Sequence, residues 1–509
     1  MGSTLGEKQL PESRAASDAS LDDVESGTSQ PPRNWLERIG QRLDGLAGFE
    51  TRGIERVPEH MRQGPVTTKK YLEAGLVWFG INCTANSLNV GILGPSVFKL
   101  GFVDSIICCV FGTLVGCLCS GYISTFGPVS GCRTLVISRY TMGWWPSKLC
   151  VVLNIVIALG YGVTNCLTAG LVLSAVNGHG MGAWVGILVS ALITWVIATF
   201  GYRWFFNYER YCWIPQVLIM FIMIGCSGPH WNVDSPSVGT GGVLAGSRLT
   251  YFFLCMSVPL TWASYAADYY AYFPKETVKW KACLATTTGI FLAKILCLSI
   301  GIGLASGALV NQSWAEGEEI SSGALIMASL APLTVFGKFL GVILALGLVA
   351  NQVPGAYSAS FNFQLFGPWA ARIPRFIWST ISVLIYTVCA IAGEEYLLTI
   401  FQNFLALVGY WTMIWVVITL EEHVLFRRKR GFNWDAWNDR TALPVGVAAF
   451  VAFLIGWAGA IPSMYQVYFT GPIAALVGHG ADMGLPVGAS WTAVAFPPLR
   501  YLELKYFKR

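Results

Sequence analysis

The sequence predicts an all-α integral membrane protein with twelve transmembrane helices. Of its 509 residues, 54% are hydrophobic and only 12% are charged, whereas a soluble protein carries about 25% charged residues. Of the 61 charged residues, 21 lie within the first 70 positions. Beyond them, apolar windows of about 20 residues follow one another to the C-terminus, each long enough to cross a bilayer as a helix. This composition excludes a large soluble domain.

Residues 1–70 are polar and rich in Ser, Asp and Glu, which predicts a disordered cytoplasmic N-terminal tail. Residues 71–509 form one twelve-span membrane domain with a short cytoplasmic C-terminus, because the loops are too short for a folded extramembrane domain. The predicted spans 1 to 12 cover residues 71–96, 102–125, 148–177, 181–201, 207–228, 248–271, 282–306, 335–362, 374–393, 396–420, 443–463 and 484–502.

The distribution of Lys and Arg orients these spans, because cytoplasmic loops carry an excess of positive charge. Of the 33 Lys and Arg, 29 lie in the two terminal segments or in the loops on the same side, such as Arg427–Arg430. The opposite loops are neutral or acidic, as at Trp314–Glu318. We therefore expect a multi-pass plasma membrane protein with both termini cytoplasmic and membrane lipid around it. The net charge of +5 requires no nucleic-acid partner.

Two predicted spans contain residues that interrupt a helix. Span 1 carries three Asn, a Thr, a Ser and a Gly within Asn82–Gly91, and span 6 carries Pro259, which removes a backbone donor. Irregular backbone is tolerated inside a membrane only where it faces protein or a water-filled cavity. Because broken helices 1 and 6 are five spans apart, they predict a five-plus-five inverted repeat with a binding site near the midplane.

Spans 3 and 8, the next pair five apart, also carry polar side chains. These are Tyr161, Asn165 and Asn351. One interpretation is that such residues only join helices by hydrogen bonds. The other is a pocket for a flat, neutral ring that stacks on Trp262 or Tyr161 and pairs its edge with the two carboxamides. A nucleobase, a hydantoin or a vitamin ring would fit this description.

Lys294 lies near the middle of predicted span 7. A charged residue at that depth is energetically costly and is by default a functional candidate, here as the group that couples transport to protons. The competing interpretation is a lysine that snorkels or pairs with a carbonyl group. The fourteen Cys show no disulfide framework or zinc spacing, so we expect no metal.

Long blocks of residues 50–509 resemble the fungal purine–cytosine permeases of the nucleobase–cation symporter-1 family. The blocks are GIERVPEHMR from Gly53, FGINCTANSLNVGILGP in span 1, GPVSGCRTLVISRYTMGWWPSK after span 2, ALGYGVTNCLTAG in span 3, PLTWASYAADYYAYFP in span 6, GLVANQVPGAYSASFNFQLFG in span 8 and YFTGPIA near residue 470. The resemblance implies a secondary active transporter that imports adenine, guanine, hypoxanthine and cytosine by proton symport.

The resemblance also implies a set of substrate contacts. They are Ser87, Tyr161, Asn165, Trp262, Asn351 and Pro354. Many relatives carry Trp where Tyr161 stands here. The smaller ring of Tyr161 preserves stacking but changes the shape of the pocket. Sodium-coupled relatives carry adjacent hydroxyl residues in span 8, where this chain has Val349 and Ala350. This difference favours protons as the coupling ion, with no other cofactor.

A channel, an enzyme and a vitamin transporter are the alternative functions. A channel requires rings of charge or carbonyls along an open pore, which paired broken helices do not suggest. An enzyme requires a catalytic cluster, but the five His residues are scattered, mostly at span ends, and the sequence shows no HxxxH motif, paired midplane carboxylates or activated Ser or Cys. A transporter of a vitamin ring, pyridoxine or thiamine, shares the predicted fold and remains the closest alternative. The sequence leaves the oligomeric state open.

Overall fold

The computed structural model describes residues 54–200 and 202–509, which fold into a bundle of helices at all twelve predicted positions. Span 1 is a bent pair of helices, and the other spans each contain one principal helix. The helices of spans 1 to 12 are Thr68–Asn82 with Ala85–Ser96, Phe102–Ser124, Pro146–Val176, Ala183–Phe200, Tyr202–Ser227, Gly241–Leu260, Lys279–Ala308, Thr334–Gln364, Arg375–Ala392, Leu397–Glu421, Val447–Ala460 and Gly484–Phe507.

The lengths and compositions of these helices fit a membrane protein. In the described ranges, eight helical segments are long and apolar enough to cross a membrane, and the bent pair of span 1 makes a ninth. Shorter apolar helices occupy spans 4 and 11, and Gly484–Phe507 occupies span 12. The predicted all-α, twelve-span class is confirmed. Span 6 begins at Gly241 rather than at residue 248.

Smaller elements connect the spans. The helix Thr134–Met142 lies between spans 2 and 3, and the helices Gln312–Ile320 and Ser322–Leu330 lie between spans 7 and 8. Between spans 11 and 12, the two-residue strands Tyr465–Gln466 and Phe469–Thr470 pair as an antiparallel hairpin. The segment 464–483 therefore does not extend span 11 as a helix.

The predicted disordered tail is too long at its C-terminal end, because residues 54–67 pack on the membrane domain. The backbone N–H of Val57 donates to the Gly131 carbonyl at 2.8 Å, and that of Gln63 donates to Tyr272 at 2.8 Å. The buried Arg62 guanidinium donates to the Pro128 carbonyl at 2.6 Å. These contacts hold the segment against the loops after spans 2 and 6. The rest of the predicted tail, residues 1–53, lies outside the described residues.

The two halves of span 1 meet at an angle of 61° across Cys83 and Thr84. Thr84 is extended, with φ −137° and ψ 157°, so the regular helical hydrogen bonds stop there. The Ser87 hydroxyl donates to the Asn82 carbonyl at 3.1 Å and satisfies one of the freed acceptors. The polar residues that identified this break in the sequence therefore include one that stabilises it.

Span 6 changes from an α-helix to tight 3₁₀ turns at Thr261–Ser264, directly after Pro259. Hydroxyl groups donate hydrogen bonds to the backbone carbonyls near this transition. Ser120 of span 2 donates to the Pro259 carbonyl at 2.6 Å, and Thr261 donates to the Val258 carbonyl at 2.8 Å. Unpaired carbonyls are costly in a membrane, so these bonds make the break stable. The break places Trp262 on irregular backbone.

An ion cluster joins spans 10 and 12 at the end of the bundle that carries the C-terminus. The Arg500 guanidinium donates to both Glu422 carboxylate oxygens, at 2.8 and 2.9 Å, and both side chains are almost completely buried. Arg427 donates to Glu422 at 2.9 Å. Glu503 accepts from the backbone N–H groups of Gly446 and Ala448 at 2.8 and 2.9 Å, which caps the start of span 11. This cluster fixes spans 10, 11 and 12 to one another.

Candidate substrate site

A cavity with two adjoining lobes lies where the breaks of spans 1 and 6 face spans 3 and 8. Tyr161, Trp262 and Asn351 line both lobes. The first lobe also includes Asn165, and the second includes Ser87. The structure therefore brings together five of the six predicted substrate contacts. Pro354 lies within the span 8 helix, but its side chain is outside the described part of the structure.

The two carboxamides form a chain of hydrogen bonds across the cavity. The Asn165 amide donates to Asn351 Oδ1 at 2.9 Å, and the Asn351 amide donates to the Ile81 carbonyl just before the break of span 1. Asn165 is 1% exposed, and its Oδ1 has no hydrogen-bond partner among the described residues. A buried acceptor without a partner is costly. A ligand that brings an N–H group would satisfy it.

Aromatic side chains form the walls of the cavity. The Trp262 ring meets Trp78 nearly at right angles, with centroids 5.7 Å apart, and it meets Tyr265 at 6.0 Å and 62°. The Tyr161 hydroxyl lies 2.9 Å from Thr261 Oγ1, and its ring packs edge-on against Phe404 at 5.4 Å. These contacts fix the orientation of both rings. An indole in this position can stack on a flat ligand.

Lys294 and Ser87 meet in the second lobe, beside the break of span 1. The Lys294 ammonium donates to Ser87 Oγ at 2.9 Å, and the lysine is only 7% exposed. Lys294 forms no ion pair with any residue that the structure describes. Its contact with Ser87 rules out a lysine that snorkels to the membrane surface. The charge instead lies between spans 1 and 7, next to the substrate cavity.

Asparagines of spans 1, 3 and 8 join helices by hydrogen bonds, and some of them also line the cavity. Asn89 donates to Thr168 Oγ1 at 2.8 Å, and Asn86 accepts from the same hydroxyl at 3.3 Å. Both asparagines therefore join span 1 to span 3 by hydrogen bonds. Asn165 and Asn351 line the first lobe and also join span 3 to span 8, and Asn86 also lines the second lobe. Periodicity alone did not separate these two roles.

Sequence reasoning missed two further residues of the first lobe, Gln352 and Tyr386. Gln352 is buried and donates to the Gly162 carbonyl at 3.3 Å, which joins span 8 to span 3. Its position next to Asn351 was an available signal. Tyr386 is the one tyrosine of the helix in span 9, and its packing on Gly162 was not evident from the sequence.

Comparisons with known proteins agree with this architecture. The family model described as permease for cytosine/purines, uracil, thiamine, allantoin matches residues 57–488. The chain is 33% identical to a purine-cytosine permease of Emericella nidulans, covering 99% of this chain and 98% of that protein. It is 31% identical to a vitamin B6 transporter of Saccharomyces cerevisiae, covering 93% of this chain and 90% of that protein.

The fold is similar to that of Mhp1, a nucleobase-cation-symport-1 family transporter solved in a closed conformation with bromovinylhydantoin bound. The TM-score is 0.65 at 12% identity, covering 90% of this chain and 96% of that chain. These matches confirm the family resemblance and a membrane transporter rather than an enzyme. The chain belongs to the permease family for cytosine/purines, uracil, thiamine and allantoin.

Proposed function

We propose that this chain is a secondary active transporter that imports purine bases and cytosine by proton symport through alternating access. The observation that carries the substrate class is the unpartnered Asn165 Oδ1 beside the fixed Trp262 ring. A nucleobase offers a flat face for the indole and ring or amino N–H groups for the carboxamide. The similarity to purine-cytosine permeases of Emericella nidulans and Saccharomyces cerevisiae supports the same choice.

A vitamin ring is the second candidate, because the vitamin B6 transporter of Saccharomyces cerevisiae is about as similar to this chain as the purine-cytosine permeases. Pyridoxine is a neutral ring of similar size. Thiamine carries a permanent positive charge, and no Asp or Glu is among the described residues that line the two lobes. The nearby Lys294 ammonium repels such a charge. We therefore place pyridoxine ahead of thiamine as the alternative.

Uptake measurements separate these candidates. Cells that express the chain should accumulate labelled cytosine and adenine, and excess unlabelled adenine should abolish cytosine uptake. Preloading with unlabelled cytosine should accelerate labelled uptake, which distinguishes a carrier from a channel. Uptake of labelled pyridoxine without uptake of any base would reject the nucleobase assignment and establish the alternative.

We propose that Lys294 couples transport to protons. Base uptake should rise as external pH falls and should be abolished by a protonophore. Replacement of sodium by choline should leave the uptake unchanged. Lys294→Ala should reduce accumulation and flatten this pH profile, because the buried charge beside Ser87 is lost. Lys338→Ala is the matched control, since Lys338 is exposed near the start of span 8. A strict sodium requirement, or an unchanged profile in Lys294→Ala, would contradict this assignment.

The proposed location is the plasma membrane, with both termini cytoplasmic. The orientation is tested by labelling single cysteines in intact cells with a membrane-impermeant thiol reagent, after Cys389, the exposed native cysteine of the described chain, is replaced by Ser. Ser313→Cys should react from outside, and Arg428→Cys should react only after permeabilisation. Both native residues are exposed, so access should depend on the side of the membrane. The reverse pattern would invert the topology.

A further inference from the structure

A second buried polar cluster lies apart from the substrate cavity, at the junction of spans 6, 10 and 12. Asp482 is 4% exposed. Its Oδ2 accepts from the Tyr410 hydroxyl of span 10 and from the Gln466 amide at 2.7 Å. Its Oδ1 accepts from the Gly484 backbone N–H at 3.0 Å, and its own N–H donates to Thr250 of span 6 at 2.9 Å. Asp482 therefore connects span 10, the hairpin and the start of span 12 through its carboxyl group, and span 6 through its backbone N–H.

The groups around this carboxyl are neutral. The titratable side chains that face Asp482 are tyrosines, Tyr410 on span 10 and Tyr465 and Tyr468 on the hairpin. The lining residues of spans 6 and 12 add no titratable group, and His479 is exposed. Asp482 forms no ion pair within the described chain. Burial raises its pKa to about 6, although hydrogen bonds from Tyr410, Gly484 and Gln466 oppose that rise.

A small cavity beside the cluster contains a polar atom that needs a donor. Gln466 lines this cavity and is 4% exposed, and its Oε1 has no hydrogen-bond partner among the described residues. In every observed hydrogen bond of the Asp482 carboxyl group, the carboxyl oxygen is the acceptor. This arrangement suits the ionised form. A protonated Asp482 would lose acceptor capacity toward Tyr410 and Gln466. Rotation of the Gln466 amide by half a turn would then let the protonated carboxyl donate to Oε1, which has no partner now.

Span 10 connects this cluster to the substrate cavity. Phe401 and Leu405 of span 10 line the second lobe beside Ser87, and Phe404 packs on Tyr161. These residues precede Tyr410 on the same helix, toward the side of the molecule opposite the termini. At Gly409, span 10 lies so close to span 6 that an added Cβ would come within 2.1 Å of Ser257 Oγ. A displacement of span 10 at Tyr410 would therefore also move Phe401 and Leu405, which form part of the cavity wall.

We propose that Asp482 is a proton-binding site, separate from the substrate cavity, beside the end of span 12 opposite the C-terminus. The ionised carboxylate holds Tyr410 and keeps span 10 closed over the cavity. Proton binding to a carboxyl oxygen removes an acceptor from Tyr410 and releases span 10. A proton suits the site better than a metal cation, because one carboxyl, one amide and one phenol supply few oxygen ligands. The inference does not depend on which substrate is carried.

The test measures how accessible the cavity is without any substrate. In cells expressing a Leu405→Cys, Cys389→Ser background, the modification rate by an impermeant thiol reagent is measured between pH 5 and pH 7.5. Each rate is divided by the rate measured for Ser313→Cys in the Cys389→Ser background without Leu405→Cys. This division removes the intrinsic pH dependence of the thiol. The ratio should rise several-fold as pH falls, with a midpoint near the Asp482 pKa of about 6.

The variants give distinct results. Asp482→Asn should make the ratio independent of pH, because no proton can be gained or lost. Tyr410→Phe should keep the ratio high at every pH, because the hydroxyl group that the ionised carboxylate holds is absent. Asp234→Asn, at an exposed position before span 6, should behave as the background does.

A pH-dependent ratio that survives Asp482→Asn would overturn the proposal. If Asp482→Asn fails to reach the membrane, a ratio in Tyr410→Phe that still rises with falling pH as in the background would overturn it. A ratio that follows sodium at constant pH would overturn the proton assignment. A modification ratio at Leu405→Cys that increases as pH rises would contradict the proposed release of span 10 by protonation of Asp482.

Discussion

Asn351→Ala is expected to lower the apparent affinity for cytosine and adenine by about 100-fold while the protein still reaches the membrane. Asn351 accepts from Asn165 at 2.9 Å and donates to the Ile81 carbonyl beside the break of span 1. Its removal leaves Asn165 without the bond that orients it and leaves a polar group of the desolvated base without a partner. Stranding buried polar groups costs about 1–3 kcal/mol each, and about 1.4 kcal/mol corresponds to tenfold in affinity.

The neighbouring substitutions should show graded effects. Asn165→Ala removes the unpartnered acceptor itself and should be as severe as Asn351→Ala. Trp262→Ala should weaken binding by the stacking contribution of about 1–3 kcal/mol, and Trp262→Phe should be milder because an aromatic face remains. Asn177→Ala is the matched control, since Asn177 is exposed at the end of span 3. Inhibition constants are measured on labelled uptake and normalised to surface protein.

Arg500→Ala is expected to destabilise the fold by about 3–5 kcal/mol, because it leaves the buried Glu422 carboxylate without its principal cation. Arg500 and Glu422 are 2% and 0% exposed and share two hydrogen bonds. The loss should appear as a lower melting temperature in detergent and as reduced surface abundance. Arg427→Ala should be milder, because Arg427 is 25% exposed and solvent screens its charge.

A double substitution separates the ion pair from the packing around it. Glu422→Leu with Arg500→Met removes both buried charges and keeps similar volumes. It should be more stable than Arg500→Ala alone, because the Glu422 carboxylate is gone rather than left unpaired, whereas Glu503 loses its 3.5 Å contact with Arg500 in both variants. A double variant as unstable as the single one would show that the loss comes from packing rather than from an unpaired carboxylate.

The sequence was sufficient for features that conflict with their surroundings. The polar run from Asn82, Pro259 within an apolar span and Lys294 in mid-span each violate the pattern of a lipid-facing helix, and the structure places each at a break or beside the cavity. Asn165 and Asn351 were identified for the same reason. The structure adds which of their atoms are used and which are free.

Contacts between residues that are far apart in the chain could not be predicted from the sequence. Tyr410, Gln466 and Asp482 meet although Tyr410 and Asp482 are separated by 72 residues, and no local pattern relates them. Glu422 and Arg500 are 78 residues apart. Taken alone, Gln466, Asp482 and Glu422 resemble ordinary polar positions at a helix end or in a loop. Their roles follow from the packing of spans 10 and 12, which hydropathy does not specify.

The central claim is that Asn165, Asn351 and Trp262 recognise a nucleobase, and equilibrium binding to the purified protein tests it most directly. Labelled cytosine should bind the wild type and be displaced by adenine at lower concentrations than by pyridoxine. Asn165→Ala and Asn351→Ala should lose this binding, whereas Asn177→Ala should retain it. Displacement by pyridoxine at lower concentrations than by any base, or normal base binding in both cavity variants, would contradict the claim.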